Sequence, residues 1–186
     1  MTLTALLLAG GESRRMGRDK ATIEIDGQPL WKRQLEILRA LEPERIFVSV
    51  RAVPRWLPKN AELLLDDPPS RGPLSGLTKA LAAVRTTHLV ALAVDMPFMT
   101  REQLRRLCKL AEAGRGVVPL IGDRAEPLAA VYPAEASPRF VEALAGADFS
   151  LQRLVRRLAA EDEIRFLPVA AEDEHLYRSL NKPGDL

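Results

Sequence analysis

An apolar run from Leu3 to Ala9, broken only by Thr4, stops at Gly10 and Gly11, and behind the glycines come Arg14, Arg15, Gly17, Arg18, Asp19 and Lys20. Glycines let a backbone approach a ligand closely and present its N–H groups. Cations placed just behind them suit a polyanion such as a triphosphate. Two familiar phosphate loops are excluded by spacing. A Walker A loop needs four residues between its glycines and a lysine after the second, whereas Gly11 and Gly17 are separated by five residues and Arg18 follows. A dinucleotide fingerprint needs G-x-G-x-x-G, and here the first two glycines are adjacent.

The elements that must carry these residues alternate. Leu3 to Ala9 reads as a strand buried on both faces. Ile23 to Ile25 is a short extended piece before an Asp26-Gly27 turn, and Pro29 is placed at the first position of a helix carrying Leu30, Trp31, Leu35, Ile37, Leu38 and Leu41. Arg45–Val50 and Glu62–Leu65 read as strands, Leu74, Leu77, Leu81 and Val84 recur at helical spacing, and His88 to Val94 is another apolar strand. Thr100 and Gln103 predict a capping box for the helix with Leu104, Leu107 and Leu110. This alternation predicts an α/β fold with a mostly parallel sheet flanked by helices. After Gly114 three short strands joined at Gly122-Asp123 predict a small antiparallel excursion at the sheet edge. A helix from Ser137-Pro138 should turn Phe140, Val141 and Leu144 inward, Ser150 should cap another with Leu151, Leu154, Val155 and Leu158 inward, and Glu163 to Val169 closes the series as a strand. Most residues capable of chemistry then fall at or just after the end of a strand: the glycine loop, Ser49, Asp66 and Asp67, and Asp95. In an open parallel sheet such positions converge on one crevice.

Bulk properties narrow the function classes. With 186 residues the chain is read as one domain. A net charge of +2, without a Lys/Arg stripe interleaved with aromatics, argues against nucleic acid. The single cysteine, Cys108, sits at core spacing on its helix and cannot form an internal disulfide. No apolar run is long enough to span a membrane, and the N-terminus lacks the charge pattern of a signal peptide, so a cytoplasmic location is expected.

The loop LAGGESRRMGRDK resembles the signature of the nucleotidyltransferases that make the molybdenum cofactor guanine dinucleotide. Four more segments resemble that family in order: DDPPSRGPLSGL from Asp66, Asp95-Met96-Pro97, Gly146 to Leu151, and Leu180-Asn181-Lys182-Pro183. Pro127 to Tyr132 is also similar to a family segment. The resemblance implies a single-domain Rossmann-like nucleotidyltransferase fold, its N-terminal part binding nucleotide and its C-terminal part a pterin. It implies transfer of GMP from GTP to the phosphate of molybdopterin, with release of pyrophosphate. Leu8, Ala9, Gly10, Gly11 and Lys20 would hold phosphates, with Arg15 and Lys20 neutralising charge on the departing pyrophosphate and Arg14 or Arg18 as alternatives. Ser49, Gly72, Pro73, Leu74 and Gly76 would line the base and ribose pocket. Asp67, with Asp66 in reserve, would accept from guanine N1–H and N2–H. Asp95 would hold Mg2+. Ser150, Arg153 and Asn181 would meet the pterin, though Ser179 departs from the asparagine found in the family. The implied partners are GTP, molybdopterin, other cofactor-biosynthesis proteins and molybdoenzyme chaperones. The alternatives are a sister cytidylyltransferase and a non-catalytic pterin carrier.

Overall fold

The computed structural model describes residues 1–10 and 19–180. Its strands are β1 (Leu3–Leu8), β2 (Glu24–Ile25), β3 (Gln28–Pro29), β4 (Arg45–Val50), β5 (Glu62–Leu65), β6 (His88–Ala93), β7 (Gly116–Ile121), β8 (Arg124–Ala125), β9 (Ala129–Pro133) and β10 (Ile164–Pro168). The helices are α1 (Leu30–Arg39), α2 (Pro73–Ala83), α3 (Arg101–Leu110), α4 (Ser137–Ala145) and α5 (Leu151–Ala160). The main sheet runs β10-β7-β9-β6-β1-β4-β5, with β8 attached to β7, while β2 and β3 form a separate hairpin. From β6 to β5 all pairings are parallel. β8 lies antiparallel on β7, and β9 runs antiparallel deeper in the sheet, between β6 and β7. All of β9 is buried and apolar, as an interior strand requires.

Successive side chains on a strand point to opposite faces, and the two apolar cores follow that alternation. From β1, Leu3, Ala5 and Leu7 enter the layer shared with α1 and α3, whereas Leu6 and Leu8 enter the layer shared with α2, α4 and α5. β6 divides in the same way, with Val90 and Leu92 against Leu89 and Ala91. Leu30, Leu35 and Leu38 of α1 are fully buried, and each such side chain contributes about 1.5–3 kcal/mol.

Three local expectations are corrected. Pro29 precedes the first turn of α1 because its pairing with Glu24 holds it extended, at φ −66° and ψ 144°. Thr100 Oγ accepts from the Gln103 N–H at 3.2 Å, but the Gln103 amide leaves the cap and donates to the Tyr177 hydroxyl at 2.7 Å. The capping box is thus half made, and the freed half docks the C-terminal segment on α3. Val141 is half exposed, because Phe140, its neighbour on α4, takes the inward position and meets Tyr132 edge to face at 5.2 Å. Among the described residues no helix is long and apolar enough to cross a membrane.

Candidate functional site

The strand order places β1 where the connections change direction: the chain moves outward through β4 and β5, then returns to β6 on the other side of β1. Such a switch point opens a crevice at the carboxyl ends of the strands. Here the strand ends are fixed by backbone hydrogen bonds. Ala9 N–H donates to Ser49 O at 2.9 Å, Val94 N–H to Leu8 O at 3.0 Å, and Asp66 N–H to Val50 O at 2.9 Å. The cavity at this edge is lined by Leu8 of β1 and Gly10 after it, by Ser49 of β4 and Arg51 after it, and by Asp66 and Asp95, which follow β5 and β6. Ala9, Asp19, Lys20, Gly72, Pro73, Ala93, Val94 and Leu128 complete the wall.

Lys20 lies in a short 3-10 turn, Lys20–Thr22, capped by Asp19, whose carboxylate accepts from the Ala21 N–H at 3.0 Å. The Lys20 ammonium donates to Asp95 Oδ2 at 3.0 Å, and the two side chains are 17% and 22% exposed. Both residues line the cavity. Behind Asp95, Gln34 donates to Met96 O at 2.6 Å and Arg33 to Pro97 O at 3.1 Å, while the Asp95 carbonyl accepts from Leu180 N–H at 2.8 Å. The Asp95 loop is thus held from both sides.

Among the described residues no three His, Cys, Asp or Glu side chains are grouped to hold a metal. Asp95 brings one carboxylate to the cavity. Magnesium ordinarily takes one or two carboxylates with phosphate oxygens and waters. The donor set therefore fits a divalent cation shared with a bound phosphate, and does not fit a self-sufficient protein cage.

The two neighbouring aspartates separate. Asp66 faces the cavity, its Oδ1 accepting from Ser49 Oγ at 3.1 Å and its Oδ2 from Ser70 Oγ at 2.8 Å. Asp67, the residue expected to meet the base, turns outward, is 87% exposed and pairs with Lys79 at 2.9 Å. The reason is extended-chain alternation: once Asp66 points inward from the end of β5, its neighbour points out. The placement of Leu74 is also corrected, since its side chain is buried in the core from the first turn of α2. Gly76 lies against the sheet, where an added Cβ would sit 2.4 Å from Ser49 Oγ and 2.8 Å from Leu8 Cδ2. Its small size lets α2 pack close, and it is not among the residues lining the cavity. Gly72, immediately before α2, has φ +66° and does line it.

Ser150 and Arg153 are not part of this cavity. Ser150 caps α5, and Arg153 pairs with Asp148 at 2.8 Å. They border a shallow hollow with Ile121, Arg124, Gln152 and Arg156. Arg71, from the loop before α2, stacks over the Phe149 ring at 4.3 Å and so links the two regions. Gly11, Arg14, Arg15, Arg18 and Asn181 lie outside the described residues. Arg51 and Trp56 were not singled out from sequence, whereas Leu128 lies in the Pro127–Tyr132 segment that was. Arg51 follows β4 without an unusual residue type, so only its place at the sheet edge marks it.

A family model described as "MobA-like NTP transferase domain" matches residues 5–163. Over 98% of this chain and 92% of the relative, the sequence is 36% identical to a protein named probable molybdenum cofactor guanylyltransferase from Opitutus terrae. It is 30% identical to a molybdenum cofactor guanylyltransferase from Pseudomonas putida, over 97% of this chain and 94% of that protein. The fold is similar to the crystal structure of molybdopterin-guanine dinucleotide biosynthesis protein A from Archaeoglobus fulgidus, with a TM-score of 0.76 and 22% identity over 98% of this chain and 94% of that one.

Proposed function

The chain belongs to the MobA-like NTP transferase family, and from that premise we propose that it transfers GMP from GTP to the terminal phosphate of molybdopterin. An oxygen of the pterin phosphate attacks the α-phosphorus of GTP, the bond from that phosphorus to the β-bridging oxygen breaks, and pyrophosphate leaves. No protein nucleophile is required, so catalysis reduces to positioning and charge stabilisation. The observation that carries this reading is the pairing of Lys20 with Asp95 in a crevice walled by the ends of β1, β4, β5 and β6.

Each wall residue has a task in this scheme. Gly10 and its neighbours let the backbone approach the phosphates. Lys20 neutralises charge that accumulates on the departing pyrophosphate. Asp95 would hold Mg2+ together with the nucleotide, and the ion would supply Lewis-acid polarisation of the phosphate. Asp66 takes the base-reading role: each of its oxygens accepts one serine hydroxyl and retains a lone pair for a guanine N–H. The strands from β1 to β6 serve the nucleotide, and the segment from β7 onward serves the pterin acceptor. We place the reaction in the cytoplasm. The test is turnover with Mg2+, molybdopterin and each nucleoside triphosphate. Pyrophosphate release and a guanine dinucleotide product with GTP are expected. Turnover with CTP and none with GTP would instead make the chain a cytidylyltransferase.

A further inference from the structure

Lys20 and Asp95 are 75 residues apart in the chain, yet their charged atoms are held at 3.0 Å. Lys20 opens a single 3-10 turn and Asp95 follows the end of β6, so contacts beyond these short segments must set that separation. Two tryptophans connect to the segment that carries Lys20. Trp56 Nε1–H donates to Asp19 Oδ2 at 3.0 Å. The other Asp19 oxygen caps the turn that carries Lys20. The Trp56 ring stacks on Trp31 with centroids 5.3 Å apart and planes within 14°. Trp31 belongs to α1, and two and three residues further along that helix Arg33 and Gln34 grip the carbonyls of Pro97 and Met96, just after Asp95. One helix therefore braces both members of the pair, directly on the Asp95 side and through the indole on the Lys20 side.

We propose that Trp56 is a positioning residue for Lys20, acting through Asp19 and anchored on α1 by the Trp31 stack. The inference rests on the GTP reading above and adds a residue outside the cavity wall to the phosphate-binding machinery. An indole that merely filled space between the 51–57 segment and α1 would serve equally well without its N–H. The geometry assigns that N–H to the one carboxylate that shapes the Lys20 turn.

Trp56→Phe separates these roles, because phenylalanine keeps an aromatic face for Trp31 and loses the donor. GTP affinity is measured by calorimetry in magnesium buffer for the unsubstituted protein, Trp56→Phe, Lys20→Met and the double variant. A matching urea midpoint for Trp56→Phe shows that the fold is kept. Trp56→Phe is expected to weaken GTP about fivefold, the scale of one lost charge-assisted hydrogen bond near the surface. In the Lys20→Met background the same change is expected to cost nothing further, since the residue it positions is gone. A fivefold loss that recurs in the Lys20→Met background, or no loss in Trp56→Phe alone, overturns the assignment. If the unsubstituted protein binds no GTP, the functional reading itself falls and takes this inference with it.

Discussion

At the residue scale, the side chains that matter are distinguished by where the chain turns them rather than by type. Asp66 and Asp67 are adjacent and chemically identical, and both follow the same strand. Asp66 is half-buried, with a hydroxyl on each oxygen; Asp67 is 87% exposed and pairs with Lys79, an arrangement of little energetic weight. Asp66→Ala is therefore expected to weaken GTP by about 10- to 100-fold, the range for removing hydrogen bonds to a charged group. Asp67→Ala should leave affinity within about twofold, as expected of an exposed ion pair. Equilibrium titration of both variants checks this, and the reverse ranking would return the base-reading role to Asp67. From the sequence alone both aspartates stand in the right segment, and the choice between them depends on which face of the extended chain meets the cavity. Lys20 was legible because it closes the basic run that follows β1, and Asp95 because it is a single carboxylate just after β6. Trp56 was not, because its contribution depends on a contact with Asp19 that crosses 37 residues.

At the element scale, strands and helices were legible because buried parallel strands are continuous apolar runs and the helices carry clear apolar faces. β4 and β5 fall at the expected residues, and β1, β6 and β10 lie within the expected ranges. The place of β9 was less legible. Its composition says buried strand, but nothing local says that it inserts between β6 and β7. Gly76 shows a second kind of ambiguity. A glycine that admits a ligand and a glycine that admits a helix look alike in sequence, and here the helix reading holds, with Ser49 and Leu8 against it. This has a measurable consequence. In Gly76→Ala the methyl must displace Ser49 or Leu8, both cavity-lining residues, or lift α2 from the sheet. Overpacking of that kind costs about 1–3 kcal/mol. A lowered urea midpoint together with weaker GTP binding is expected. Unchanged stability would mean that the α2 contact is looser than the geometry requires.

At the scale of the whole molecule, a formal charge of +2 over 186 residues leaves little net repulsion near neutral pH, so the dependence of stability on pH falls to individual groups. Exposed pairs such as Arg157–Glu142 and Arg45–Glu62 hold their glutamates below the ordinary carboxylate range through side-chain hydrogen bonds. Their small contributions are present at neutral pH and are lost as the medium is acidified. Glu126 works in the opposite sense. It is buried between β8 and β9, and desolvation raises its carboxyl above the ordinary value, only partly offset by the exposed Arg124 at 3.4 Å. A raised carboxyl means that the folded chain binds a proton more tightly than the unfolded chain. Stability from this group is thus complete below the ordinary glutamate pKa and declines as pH rises through the folded value. Glu126→Gln removes the titration while keeping the shape. Urea midpoints of the two proteins, compared from pH 4 to pH 7, should move apart as pH rises, with the glutamine variant gaining on the parent protein. Parallel profiles, or a gap that opens toward acid, would show that Glu126 is well solvated or well paired in the folded chain and that the margin of the sheet around β8 is more open than its burial indicates.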